Sequence, residues 1–180
     1  MLDGRMMQFP LTLTHFLSRA KDFFGATEVV SRRPDKSLHR HSWSDVVDRT
    51  ARLANALTKL GVKPGARVAT LCWNHTAHLE TWLAAPCMGA VVHTLNLRLH
   101  PNELAYIARH AEDDVIVVDR SLLPLFHKFK DQVPSLRHVL VVPDDGDVDP
   151  MTGLDYEKTI AAERAEFVWP ALPENQAAMI

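Results

Sequence analysis

Cysteine, net charge and long apolar runs are all scarce in this sequence of 180 residues. The two cysteines, Cys72 and Cys87, lack the C-x-x-C spacing of a metal or redox site, so we expect buried, reduced thiols. A formal net charge of -2, with the basic residues scattered, gives no electrostatic footprint for nucleic acid. No apolar run approaches the roughly 18 residues of a membrane span, and the N-terminus lacks the pattern of a secretion signal. These absences favour a cytoplasmic protein with no nucleic-acid partner and no membrane span.

The short motifs that usually mark a catalytic centre are missing as well. None of the seven glycines belongs to a G-x-G-x-x-G or G-x-x-x-x-G-K-[ST] phosphate cradle. The chain also has no G-x-S-x-G elbow and no H-E-x-x-H zinc pair. The sequence therefore predicts no catalytic residue and no metal ligand.

A strand, helix, strand unit lies at the centre of the chain. Residues 90–92 form a short apolar run, a polar turn follows around Asn96, and Pro101 suits the first turn of a helix. A second apolar run, rich in β-branched residues, covers 115–118. Because neither run alternates with polar residues, both strands should be buried on both faces, as in a parallel sheet covered by helices.

The same rhythm continues on both sides of this unit. Ser42 and Asp45 form a capping-box pattern at the start of a helix that Gly61 should end. Apolar spacing predicts further helices and buried strands, the helices at 10–24, 75–88, 122–130 and 156–164 and the strands at 67–72 and 139–142. Residues 28–31 and 38–41 flank a turn and predict an antiparallel pair. The predicted fold class is α/β: a mostly parallel sheet with covering helices, an N-terminal helix and a short antiparallel strand pair.

Several groups of potential metal ligands have a simpler interpretation. His39 and His41 share one face of a predicted strand, but no third ligand follows at a useful spacing, which favours a solvated face. His75 and His78 lie one turn apart on a predicted helix, again without further ligands. The acidic loop at 143–154 lacks the glycine and glutamate positions of a calcium loop, so we expect it to be solvated.

Three polar residues follow the predicted strand at 90–92 and are the candidate binding residues: His93, Asn96 and Arg98. Ligand sites of open α/β sheets lie at the carboxyl ends of the strands. The Arg98 guanidinium could hold a phosphate or a carboxylate there. In the alternative interpretation, which the residue types favour, Asn96 shapes the turn and Arg98 pairs with an acid.

Several segments, taken in order, resemble a known family: 42–45, 60–69, 73–75, 89–91, 93–96, 96–99 and 103–107. Their succession resembles the amino-terminal third of the AMP-forming acyl-CoA synthetases, within the adenylate-forming superfamily. Residues 73–75 and 93–96 are most similar to the branch of medium- and long-chain fatty acyl-CoA ligases, which includes enzymes acting on methylmercaptopropionate.

The resemblance implies a two-step ligase. A carboxylate, such as a fatty acid or another small carboxylic acid, attacks ATP to form an acyl adenylate, and coenzyme A then displaces AMP. ATP, Mg²⁺ and coenzyme A would serve the parent enzyme, and none of them is expected to bind this segment tightly. The family's phosphate loop and C-terminal domain have no counterpart here. We therefore expect residues 1–180 to be an incomplete N-terminal portion of an AMP-binding domain, a scaffold that is inactive alone.

The apolar run at 177–180 resembles the start of a buried strand and supports the expectation of a longer parent protein. In some members of the family the N-terminal helix contributes to a dimer interface, so a homodimer is possible. Two other hypotheses stay open at this point. One is a self-standing flavodoxin-like nucleotide-binding or regulatory domain, and the other is a non-catalytic dimerisation module.

Overall fold

The computed structural model describes residues 9–33, 36–144 and 146–180. Within them, a two-stranded antiparallel sheet accompanies a five-stranded sheet of order β4-β3-β5-β6-β7, in which every neighbouring pair is parallel. The strands are β1 (Glu28–Arg32), β2 (Leu38–Ser42), β3 (Arg67–Leu71), β4 (Val91–Thr94), β5 (Asp113–Asp119), β6 (His138–Val142) and β7 (Leu154–Asp155). The helices are α1 (Thr14–Phe24), α2 (Trp43–Lys59), α3 (Thr76–Cys87), α4 (Pro101–Ala111), α5 (Leu123–Phe126) and α6 (Tyr156–Ala161).

The five-stranded sheet is covered on both faces, which confirms the predicted α/β class. In the central strand β5, residues 115–118 are buried on both sides, as their unbroken apolar run predicts. Side chains from α2, α3 and α6 pack on one face of the sheet. Side chains from α4 and α5 pack on the other face. The predicted antiparallel pair forms as well, between β1 and β2.

The start and the end of α2 follow from local chemistry in the sequence. The Ser42 hydroxyl accepts from the Asp45 N–H at 3.1 Å, and the Asp45 carboxylate accepts from the Ser42 N–H at 2.8 Å. This is the predicted capping box. The side-chain and backbone hydrogen bonds from Ser42 lower the pKa of Asp45. Gly61, with φ of 85°, adopts the left-handed conformation that ends the helix.

Two predicted helices are shorter in the structure. Residues 122–130 were expected to form one helix, but α5 covers Leu123–Phe126 only and a second, 3₁₀ turn covers Lys130–Gln132. The φ of -132° at Phe129 breaks the helix, and this break lets Phe126 and Phe129 meet edge to face inside the core. The helix expected at 156–164 ends at Ala161, and beyond it side chains of α2 bind the backbone carbonyls of Glu163 and Arg164.

The end of the chain differs from the expected buried strand. Met179 forms a single parallel bridge with Val92 of β4, so residues 178–180 do lie beside the sheet. Yet Met179 is 44% exposed and Ile180 is 64% exposed, so the expectation of a buried strand is wrong for these residues.

Two further expectations concern the state of the cysteines and the absence of a membrane-spanning helix. Cys72 and Cys87 are both free and buried, and burial raises the pKa of Cys87 to about 12. Across residues 9–33, 36–144 and 146–180, no helix combines the length and the apolar character that a membrane crossing requires.

Candidate functional site at the carboxyl edge of the sheet

The carboxyl ends of four parallel strands meet at one side of the sheet, here called the carboxyl edge. It comprises residues 72–75 after β3, 95–98 after β4, 119–121 at the end of β5 and 143–144 after β6. Because parallel strands all end on the same side, this edge collects polar side chains that are far apart in the sequence. Ligand sites of open α/β sheets lie at this position.

Asp119 is the central acceptor of the carboxyl edge. Its carboxylate accepts from the backbone N–H of Trp73 at 2.6 Å and lies 2.8 Å from Nε2 of His75. His75 is the N-cap of α3, and its Nδ1 accepts from the His78 N–H at 3.4 Å. Since Nδ1 is an acceptor, Nε2 must carry the proton that is donated to Asp119. The pair therefore joins the end of β5 to the start of α3 while both side chains are buried.

A second carboxylate joins β5 to β6. Asp144 accepts from the backbone N–H of Ser121 at 3.1 Å and from its hydroxyl at 2.5 Å. The indole Nε1 of Trp73 donates to the same hydroxyl at 3.2 Å. Together with Asp119, this carboxylate fixes the loops that follow three neighbouring strands.

A buried ionic cluster lies where α2, α3 and α6 meet. Arg49 donates to Glu80 at 2.6 Å and to Glu157 at 2.7 Å, and Tyr156 donates its hydroxyl proton to Glu80 at 2.7 Å. The Glu80 side chain is 0% exposed, so every partner it has comes from the protein. Burial raises the pKa of Glu80, and the neighbouring guanidinium opposes that shift. Burial also disfavours the charge of Arg49, but its bonds to Glu157 and Glu80 outweigh this and raise its pKa.

Two cavities open beside these contacts. The first has a volume of about 50 Å³, enough for a few water molecules, and its walls include His39, His41, Arg33 and Arg49. Nδ1 of His39 lies 3.2 Å from Nε2 of His41 and 3.3 Å from the Arg33 guanidinium, which can only donate. His39 is therefore the acceptor and His41 the donor. Burial, followed by the positive groups around them, lowers the pKa of both histidines.

The second cavity is a wider cleft of about 480 Å³ between β1 and α3. Its lining is partly apolar and partly polar. His78 is one of the polar residues, and its Nε2 bonds to the Thr70 hydroxyl at 3.1 Å. Burial and the nearby His75 lower the pKa of His78, which suits a neutral ring. The apolar lining residues are Val29, Val30, Leu79 and Trp82, and the polar ones include Asn74, His78 and Thr94.

The structure does not bring the three predicted binding residues together. His93 is buried, and its Nδ1 lies 2.8 Å from the carboxylate of Asp113 at the amino end of β5, away from the carboxyl edge. The side chain of Asn96 accepts from the Arg98 N–H at 3.0 Å and shapes the turn. Arg98 is exposed, and no carboxylate among residues 9–33, 36–144 and 146–180 pairs with it. Their role in binding stays a prediction.

Sequence reasoning missed the buried polar contacts, although a signal for them exists. Arg49 interrupts the apolar stripe of α2, three residues after Val46, and Glu80 interrupts a largely apolar α3. Two opposite charges on the apolar faces of adjacent helices indicate a buried pair. Asp119, likewise, is a polar residue at the end of an unbroken apolar strand.

Comparison with known proteins assigns the chain to a family. The model of the AMP-binding enzyme family matches residues 16–180. The chain belongs to the AMP-binding enzyme family. The resemblance that the sequence segments predict is thereby confirmed, and the match leaves the flavodoxin-like domain and the free-standing dimerisation module without support.

Relatives within the AMP-binding family are CoA ligases by name. The chain is 38% identical over 180 residues to a 3-methylmercaptopropionyl-CoA ligase of Ruegeria lacuscaerulensis. The alignment covers 98% of this chain and 33% of that enzyme. It is 44% identical over 158 residues to a long-chain-fatty-acid–CoA ligase of Thermus thermophilus, covering 88% of the chain and 29% of the enzyme. The chain thus spans about a third of the length of these relatives.

A solved structure shares the fold. An anthranilate CoA ligase in complex with anthranoyl-AMP superposes with a TM-score of 0.83 and 20% sequence identity. The superposition covers 96% of this chain and 31% of that ligase. The architecture of the AMP-binding family therefore accounts for almost the whole of this chain.

Proposed function

We propose that this chain is the amino-terminal scaffold of an acyl-CoA ligase that converts a carboxylic acid to an acyl adenylate and then to a CoA thioester. The observation that carries the proposal is the family match over residues 16–180, together with relatives named as CoA ligases for medium-chain, long-chain and methylmercapto acids. The substrate class is a fatty acid or another small carboxylic acid.

The parent enzyme would use ATP, Mg²⁺ and coenzyme A, and we propose that none of them binds this segment tightly. In the part of the chain that the structure describes, the carboxylates of Asp119 and Asp144 lie where β5 and β6 end, and there they would repel a phosphate. We therefore assign no chemical step to this segment, and its residues act by holding the sheet and its loops in place.

We further propose that residues 1–180 are an incomplete portion of the AMP-binding domain, with the phosphate loop and the C-terminal domain elsewhere in the parent protein. The coverage of about a third of each relative supports this. Of the predicted binding residues, Arg98 is the best candidate for an anionic ligand, because its guanidinium is exposed at the carboxyl edge. The internal bonds of His93 and Asn96 favour a structural role.

The free thiols Cys72 and Cys87 support a cytoplasmic location.

The test is acid-dependent exchange between pyrophosphate and ATP, measured on the full-length parent enzyme. We expect exchange with at least one acid in a panel of short, medium and long acids, since adenylate formation is reversible. Residues 1–180 alone serve as the control and should give no exchange. A full-length enzyme that fails with every acid in the panel would contradict the ligase proposal.

We propose that α1 mediates a homodimer. Its outer face exposes Phe16 to 65% and Phe23 to 72%, and the Arg19 guanidinium lies 5.3 Å from the centre of the Phe23 ring. Exposed apolar patches of this kind mark protein contacts.

In sedimentation experiments, we expect the double variant Phe16→Ser with Phe23→Ser to shift the chain towards monomer. Tyr106→Ser on α4, where Tyr106 is 60% exposed, is the matched control. A wild-type chain that is monomeric at all concentrations would exclude the proposal.

A further inference from the structure

The last part of the chain, residues 162–180, is here called the strap. It has no helix and forms only a single strand bridge, yet it follows α2 and α3 to the open edge of β4. Irregular segments of this length keep one path only when side chains hold them. Several side chains of the folded core hold the strap.

Asn55 of α2 holds the beginning of the strap. Its side-chain amide donates to the carbonyl of Arg164 at 3.0 Å and to that of Glu166 at 2.9 Å, and the same nitrogen lies 3.2 Å from the Ala51 carbonyl of its own helix. These carbonyls are two residues apart, so one side chain fixes both the position and the register of the backbone. Beside it, Lys59 pairs with the Glu163 carboxylate at 2.7 Å, and Arg52 donates to the Glu163 carbonyl.

The middle of the strap is held at further points, one of them the Glu174 carboxylate, which accepts from the Leu11 N–H at 2.9 Å. The rings of Phe167 and Trp169 lie 4.7 Å apart and pack against the core. Farther along, the Gln176 side chain donates to the Gly89 carbonyl at 2.8 Å. Gly89 has a φ of 90°, and a Cβ at this position would lie 3.1 Å from Leu172. The strap thus depends on a glycine where it passes the turn before β4.

The end of the strap runs beside β4 as a parallel strand. The Val92 N–H donates to the Ala178 carbonyl at 3.0 Å, and the Ile180 N–H donates to the Val92 carbonyl at 3.0 Å. A strand parallel to β4 points in the direction of Thr94 and therefore towards the carboxyl edge. In this family of folds, that is the side on which ligands bind.

We propose that Asn55 is a positioning residue that fixes the strap. The strap in turn sets where the backbone that follows Ile180 in the full-length ligase reaches the carboxyl edge. The proposal rests on the proposed ligase function. The bonds from Asn55 to the strap are exposed to solvent, so water can replace them when the side chain is removed. Loss of the side chain therefore changes the path of the strap without unfolding the sheet.

The first arm of the test measures hydrogen exchange in the 180-residue chain. In Asn55→Ala, we expect the amides of Val92 and Ile180 to exchange at least about tenfold faster, because the strand bridge opens locally. The amide of Leu95, which donates to Thr70 within the sheet, should keep its rate. Thr58→Ala is the matched control, since Thr58 lies on the same helix and its hydroxyl donates to the Ala54 carbonyl within that helix. Unchanged exchange at Val92 and Ile180 would overturn the proposal.

The second arm measures acyl adenylate formation by the full-length ligase. We expect Asn55→Ala to lower kcat about tenfold or more, with little change in the KM for the acid, since a small misplacement of reacting groups strongly slows chemistry. Asn55→Gln, which keeps the amide donors, should restore part of the rate. Faster exchange with an unchanged kcat would overturn the positioning role. An inactive wild-type enzyme would refute the ligase function instead, and the exchange arm would still decide whether Asn55 fixes the strap.

Discussion

Replacing Arg49 with methionine is expected to lower the free energy of unfolding by about 3–5 kcal/mol. The variant keeps most of the side-chain volume but leaves Glu80 without its cation. Because the Glu80 side chain is 0% exposed, water cannot take over that role, and only the hydroxyl of Tyr156 continues to donate to it. Urea denaturation of the 180-residue chain, followed by tryptophan fluorescence, measures the loss.

Arg40→Met is the matched control for the Arg49 variant. Arg40 pairs with Glu28 on the antiparallel strands, but the two side chains are 54% and 52% exposed. An exposed pair of this kind contributes at most about 1 kcal/mol. In the double variant Arg49→Met with Glu80→Gln, we expect partial recovery, since the buried charge is gone. Equal losses for Arg49→Met and Arg40→Met would show that burial of Glu80 does not govern stability.

Asp119→Ala is the second substitution with a large expected effect. It removes the acceptor of the Trp73 N–H and of the His75 ring at the same time, and both donors are left without a protein partner. Leaving a buried donor unpaired costs about 1–3 kcal/mol, and because both of these bonds are only partly buried, we expect a loss in the lower part of the combined range, about 2–4 kcal/mol. Calorimetric melting should show the lowered stability, and amide exchange at Trp73 should accelerate.

The control for Asp119 is Asp22→Ala on α1, where the carboxylate is exposed. A substitution at such a position usually changes stability by less than about 0.5 kcal/mol. Asp119→Asn should be intermediate, because its side-chain carbonyl still accepts one hydrogen bond. If Asp119→Ala melts like Asp22→Ala, the contacts of Asp119 do not stabilise the carboxyl edge.

The sheet and its covering helices could be predicted because their signals are local. Unbroken apolar runs such as 115–118 indicate strands buried on both faces, and the capping box at Ser42 needs only residues that are neighbours in the sequence. The helix expected at 122–130 was wrong because the spacing of Phe126 and Phe129 also fits a broken turn that packs both rings. Periodicity reports which residues are buried, but the backbone that buries them depends on tertiary packing.

The candidate site was harder to predict because its contacts join distant parts of the chain. Glu80 meets Arg49 across 31 residues, and Asp119 meets His75 across 44. Single-residue patterns identify His93 as a polar residue in a strand. They do not show that its partner is Asp113, at the amino end of β5. Such pairings follow from the order of the strands, which composition and spacing do not specify.

The strand order has a consequence for the backbone at the carboxyl edge. The chain leaves β3 towards α3 on one face of the sheet and leaves β5 towards α5 on the other face, so the backbone diverges between these adjacent strands. Divergence of this kind normally opens a crevice in doubly wound folds. Here a buried contact between His75 and Asp119 bridges the two loops at that point. The position at which the strand order would separate the backbone is therefore held together by side chains of this chain.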